Sequence, residues 1–256
     1  MSRCGLPYDE RVTPVVNKPE RLHDQTVHHL ALRILRGEVL PGDALPNEAQ
    51  LGAELGVSRT VVREAAKALA AKGLVEIRPK TGMRVRDRRE WNLLDPHLLA
   101  WRYEMADGDE QALLDLCEVR AVIEPVAAEL AARRASADDV ARIQDAFEEM
   151  AATAGKDEDR FVAADLRFHG LILAASGNEL LAQLASTLRV ALRASRSVTM
   201  RTGSARGSLR EHRDVMAAIR DRDHGAANAA MQRLIARAER DIRRALGPRR
   251  RARSIK

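Results

Sequence analysis

Between Leu45 and Val85 the chain reads LPNEAQLGAELGVSRTVVREAAKALAAKGLVEIRPKTGMRV, and no other stretch restricts the possible folds as much. Pro46 and Asn47 open a short helix. Proline fits the first turn or its approach, and an asparagine side chain accepts an otherwise orphaned backbone N–H. Leu51 and Leu55, one turn apart, give this helix an apolar face, and Gly56 ends it. Val57 packs inward and Ser58 caps the next helix. From Ser58 to Lys72 the apolar positions Val61, Val62, Ala65, Leu69 and Ala70 recur at helical spacing. Gly73 closes that helix. Leu74 to Arg78 and Met83 to Arg86 then alternate apolar and polar residues, as strands do, across a turn at Lys80-Thr81-Gly82. With a helix expected over Gln25–Arg36, the order is helix, helix, tight turn, helix and a two-stranded wing.

The polar face of the third helix carries Arg59, Thr60 and Arg63 near its N-terminal end. A recognition helix presents such residues to base edges in the major groove, where one arginine bonds both O6 and N7 of guanine. Lys67, one turn further on, suits a phosphate. A basic turn tipped by Gly82 can approach a phosphate backbone or enter the minor groove closely. Solvated arginines on an ordinary amphipathic helix are the plain alternative, and the ordered succession of elements argues against it.

Residues 22–86 resemble the winged helix-turn-helix of GntR-type bacterial transcription regulators. The likeness lies in RILRGEVLPGDALPNE, then LGVSRTVVREAAKAL, then GLVEIRPKTGMRV. It implies that Arg59 and Arg63 read double-stranded operator DNA and that Lys80 to Gly82 form the wing tip. Many members carry an arginine after the Pro-x-Glu of the first motif helix; this chain has Ala49, so one DNA contact is absent or moved.

The charge is uneven. Residues 1–90 hold 16 Lys and Arg against 12 Asp and Glu, residues 91–242 hold 20 against 25, and residues 243–256 hold 7 against 0. The acidic middle argues against DNA wrapping the whole protein and leaves the first part to face the polyanion. The tail RRALGPRRRARSIK either adds nonspecific phosphate affinity or is a solvated tail. With 256 residues there is room for two domains. Aromatics make up only 3% while alanine and leucine abound, which favours helix over sheet. No apolar run approaches a membrane span, and no export signal is evident. Cys4 and Cys117 lie too far apart in the chain to suggest a disulfide framework, so a reducing cytoplasm is the expected compartment.

After residue 86 the pattern is helical almost throughout. Helices are expected over Glu110–Arg134, from Ser136 to about Ala152, over Asp159–Ala175, from Asn178 or Glu179 to about Ser197, over Leu209–Asp221, and from His224 or Gly225 to about Leu246. Pro125 interrupts the backbone bonding of the first of these. Its apolar positions are Leu113, Leu116, Cys117, Val119, Ile123, Val126, Ala127 and Leu130. The fold class is mainly α: an N-terminal winged helix-turn-helix with a small β wing, and a C-terminal bundle of six or seven helices. The expected organisation is a flexible arm over 1–20, the reading domain over 21–88, a linker or connecting helix over 89–104, an effector-binding and dimerisation domain over 105–246, and a basic tail over 247–256.

Asp165 and His169, four apart on one helix, project from one face, and His212 lies on another helix. Aspartate with two histidines suits zinc, nickel or manganese, although such a pair is more often a surface contact. Arg120 lies in an apolar stretch. A buried guanidinium needs a partner, either a ligand carboxylate or Glu124 at i+4. Arg193 and Arg196 are further candidates for the effector.

Residues 91–246 are similar to the ligand-binding domain of the FadR subgroup of GntR regulators, through LCEVRAVIEPVAAELAA, DLRFHGLILAASGNELL, EHRDVMAAIRDRD and AANAAM. In metal-binding members an Asp and three His hold a metal at the floor of the effector pocket. By that resemblance Asp165, His169 and His212 are ligands, while the third histidine position holds Leu234. Two outcomes stay open: three protein ligands plus water or an effector oxygen hold the ion, or the histidines bond the effector with no metal. The segment WNLLDPHLLAWR is similar to regulators that respond to sugar acids such as galactonate. The expected function is therefore a homodimeric repressor of a carbohydrate-acid operon, released by a small carboxylate. The rivals are a metal-responsive regulator and a metal-dependent enzyme built on the Asp/His/His group. No separate acid, base or nucleophile constellation supports the enzyme.

Overall fold

The computed structural model describes the backbone of residues 18–78, 82–104, 110–200 and 205–253. Two compact units divide between Asn92 and Leu93.

In the first unit the caps legible in the sequence do their expected work. Asn47 accepts from the backbone N–H groups of Ala49 and Gln50, and the Gln50 side chain accepts from the Asn47 N–H, which starts α2 (Glu48–Leu55). Gly56 ends it in the left-handed region at φ 66°. Ser58 then accepts from Val61 N–H and starts α3 (Arg59–Ala71). The preceding helix α1 (Lys18–Leu35) starts earlier than Gln25 and takes in the end of the expected arm. Pro19 does not stop it, because the first helical turn has no use for the missing N–H. Leu30, Ala31 and Ile34 of α1 close over Val62, Ala65 and Leu69 of α3, all buried.

Strands β1 (Val75–Arg78) and β2 (Gly82–Val85) pair antiparallel, with Val75 opposite Val85 and Arg78 opposite Gly82. Gly82, expected in the turn, is thus the first residue of β2. A further pairing was not legible. Gly42 N–H donates to Val85 O, Val85 N–H to Asp43 O, and Leu45 N–H to Met83 O, so the segment before α2 lines the second edge of β2. Gly73 has φ 75°, and a Cβ there would lie 2.4 Å from Glu90 O. Only glycine lets the 3₁₀ turn Arg88–Glu90 cross this point, where Asn92 N–H donates to Lys72 O.

The second unit is helical among the described residues: α4 (Pro96–Glu104), α5 (Glu110–Arg134), α6 (Ala137–Thr153), α7 (Glu158–Ala175), α8 (Glu179–Met200), α9 (Ala205–Arg220) and α10 (His224–Arg253). The segment expected as one connector is therefore shared out. Its 3₁₀ turn belongs to the first unit, while α4 packs on α8 through Leu99, which meets Leu188 and Leu192. α5 stays helical through Pro125. α10 runs past Gly247 and Pro248, where a stop was expected, so most of the basic tail is helical. α9 begins four residues before Leu209.

Alanines 128, 131 and 132 of α5 let neighbouring helices approach closely. Ile143, Phe147 and Met150 of α6, Phe168 and Ile172 of α7, Ile219 of α9 and Leu234 of α10 complete the main core. Each fully buried large side chain contributes about 1.5–3 kcal/mol. The outer face of α5 departs from expectation: Val119 and Val126 are exposed.

Candidate functional site: a reading face and a buried polar cluster

Arg59, Thr60, Arg63 and Lys67 all stand exposed along α3, while Val62, Ala65, Ala66 and Leu69 fill the core on its other side. The spacing accounts for this division, since one face of a helix cannot serve both purposes. Lys67 Nζ lies 3.0 Å from Glu64 Oε1, an exposed i,i+3 pair within the same face. Gly82 is exposed at the start of β2. The expectation for Lys80 and Thr81 lies outside the described residues.

The second unit gathers charge in its interior. Glu124 and Arg120 come from α5, Asp165 and His169 from α7, Arg196 from α8 and His212 from α9, and all six are buried. Arg120 Nε donates to Glu124 Oε1 at 2.6 Å, so the internal ion pair weighed in the sequence is present. It does not exhaust the guanidinium, because Nη1 and Nη2 are buried without partners. The other oxygen of Glu124, Oε2, lies 2.6 Å from His169 Nδ1. Arg196 Nε donates to Asp165 Oδ2. His212 Nδ1 lies 2.7 Å from the carbonyl of Ser208, one turn earlier on α9.

These outer contacts settle what faces inward. Burial pushes the Glu124 carboxyl up, but Arg120 and His169 outweigh it and hold the group well below the usual carboxylate range. Burial likewise raises Asp165, and the Arg196 guanidinium leads the groups that outweigh it. Both carboxylates are therefore ionised and only accept. His169 is pushed down by burial, against the pull of Glu124 and Asp165, so its imidazole is neutral. Its Nδ1 must carry the proton given to Glu124, which leaves a lone pair on Nε2. At His212 the carbonyl of Ser208 can only accept, so Nδ1 carries a proton and Nε2 is the atom turned toward Asp165. Three potential ligand atoms now face one another. Asp165 Oδ1 lies 3.2 Å from His212 Nε2 and 3.9 Å from His169 Nε2, and both ring nitrogens are buried with no hydrogen-bond partner. One ligand atom from each residue lies within 4.8 Å of the others.

Such a donor set fits a divalent cation, and each donor has its own orienting partner: Glu124 for His169, Ser208 for His212, Arg196 for Asp165. Leu234 is buried in the main core and adds no fourth protein ligand. Arg193 stands apart from this cluster: its side chain is 62% exposed and lies 3.8 Å from Asp159. Sequence reasoning placed Glu124 only as a mate for Arg120 and missed its bond to His169. It also missed Ser195, next to Arg196, which is fully buried with an unpartnered hydroxyl.

Residues 22–85 match the model described as "Bacterial regulatory proteins, gntR family", and residues 115–237 match the FCD domain. The chain is 36% identical over 222 residues to the galactonate operon transcriptional repressor of Escherichia coli, covering 86% of this chain and 96% of that one. The chain belongs to the GntR family. It is also 34% identical over 204 residues to the transcriptional regulator LutR of Bacillus subtilis, covering 77% of this chain and 90% of that protein. The solved structure of Lar from Listeria monocytogenes has the same fold, with a TM-score of 0.62 at 17% identity, covering 87% of this chain and 97% of that one. GntR proteins are transcription regulators and not enzymes, so the chain is a DNA-binding regulator with an FCD ligand-binding domain. Among the described residues no helix is long and apolar enough to cross a membrane.

Proposed function

We propose that this GntR protein is a homodimeric repressor of an operon for catabolism of a small carboxylate, with a sugar acid as the favoured effector. Similarity to the galactonate operon repressor supports that class, as does 32% identity over 174 residues to the Exu regulon regulator of Escherichia coli. Two copies of α3, each presenting Arg59, Thr60 and Arg63, would engage the half-sites of a palindrome. The effector would favour an arrangement with mismatched spacing of the two reading helices. DNA affinity then falls by the ratio of effector affinities for the two arrangements.

The observation that carries the effector site is the convergence of one ligand atom each from Asp165, His169 and His212, with both histidine Nε2 atoms buried and unpartnered. These residues would hold a zinc, nickel or manganese ion, which when bound supplies Lewis-acid attraction for an anionic oxygen. The positive charges of Arg120 and Arg196 balance Glu124 and Asp165. A divalent ion therefore leaves a buried positive excess, which a carboxylate seated on the unpartnered Nη atoms of Arg120 would reduce.

Protein purified without a polyhistidine tag or chelator should contain about one divalent metal per chain by elemental analysis. Galactonate, galacturonate or lactate should then raise the melting temperature more in metal-loaded protein than in chelator-stripped protein. It should also release a duplex selected from a random pool by the protein itself. Absence of metal, with no response to added zinc, nickel or manganese, removes the metal and leaves the histidines to bond the effector directly. No release by any carboxylate removes the effector reading.

A further inference from the structure

The inward side of α5 carries Arg120, Glu124 and the alanines of the main core, yet its outward side is apolar too. Val119 is 43% exposed, Val122 71% and Val126 49%. A surface helix of a monomer normally turns polar residues outward. These valines belong to a longer row, Asp115, Val119, Val122, Val126, Glu129 and Arg133, at alternating spacings of four and three. That spacing defines a single seam of the kind along which two helices pair. Asp115 and Arg133, at its ends, are exposed, and the seam spans about 27 Å at 1.5 Å per residue.

The seam complements itself in the antiparallel sense. With a two-fold axis level with Glu124, residues equally far on either side of that position face each other across the two copies. Val122 then meets Val126, Asp115 meets Arg133, Val119 comes opposite Glu129, and each contact occurs twice, as an isologous interface requires. A parallel copy would set Asp115 against Asp115 and Arg133 against Arg133. Arg133 is braced for this role by its own-helix partner Glu129, 2.7 Å away. We infer that the outward seam of α5 binds the same seam of a second copy, antiparallel, and is the dimer interface of the second unit. The assignment rests on the proposal that the protein works as a dimer, and it names the face responsible.

Sedimentation of the full chain without DNA tests it. Wild type should be dimeric. Val122→Asp, at an exposed position, should keep its helical circular dichroism while raising the dimer dissociation constant about 100-fold or more, since it sets two carboxylates in the apolar centre. Asp115→Arg and Arg133→Asp should each weaken the dimer about 10-fold, and the double variant should recover wild-type affinity. A monomeric wild type overturns both the dimer and the interface. A dimer untouched by Val122→Asp overturns the interface alone, and so does a charge swap that fails to restore pairing.

Discussion

Arg63 and Arg120 are the same side chain in opposite circumstances. Arg63 stands in solvent on α3 with its neighbours arranged only to hold the helix. Arg120 is buried on α5, tied through Glu124 to His169. A solvated guanidinium costs the fold almost nothing and is free to be judged by its ligand. A buried one is held only because other groups compensate it, so recognition and stability are coupled there. The reading face can therefore vary without consequence for folding, while the polar cluster cannot.

The sharpest attempt to break this contrast is Glu124→Ala. It strands Arg120 and the Nδ1 of His169, and should cost about 3–5 kcal/mol, lowering the melting temperature by about 10 °C. A loss below about 1 kcal/mol, a change typical of solvent-exposed interactions, would show that the cluster is not energetically buried. Next comes Arg63→Ala. It should leave the unfolding free energy within about 0.5 kcal/mol of wild type. Specific binding to a duplex selected by the wild type should weaken by about 1–3 kcal/mol per half-site. Retained binding in a gel-shift titration would defeat the assignment of α3.

A smaller effect separates burial from membership of one unit or the other. Asp139 of α6 is a part-buried charge at the edge of the second unit, bonded to the N–H and hydroxyl of Ser136 and to Arg142. Burial raises its carboxyl, but those bonds outweigh it and hold the group below the ordinary value. A depressed folded value means that the stabilisation is present above the unfolded value, about 4, and is lost as pH falls through the folded one. Asp139→Asn should therefore cost about 1 kcal/mol at neutral pH and progressively less in acid, measured by urea unfolding. The mildest change is Lys67→Ala. It should leave sequence preference alone and reduce the slope of log affinity against log salt by about 1 per protomer.

Legibility followed the range of the interactions. Asn47, Gly56, Ser58 and Ser136 act within a few residues of themselves, so α2, α3 and α6 could be read directly. Proline and glycine misled where context outweighed them: α1 accommodates Pro19 in its first turn, and α10 continues past Gly247 and Pro248. Asp165 and His169 were legible because four residues make one turn. The bond from His169 to Glu124 crosses 45 positions, and that from Arg196 to Asp165 crosses 31, distances over which no periodicity carries information. Val119 and Val126 count among the apolar positions of α5, and hydrophobicity says that such a side chain avoids water. It does not say whether its own chain or another one provides the cover.

The order of residues alone determined the helix-turn-helix, its capped ends, its outward arginines and the helical character of the second unit, because each depends on neighbours within one or two turns. Only the packing of α7 against α5 decided which nitrogen of His169 looks inward. A tautomer is set by whatever acceptor stands beside the ring, and for His169 that acceptor arrives from a distant part of the chain.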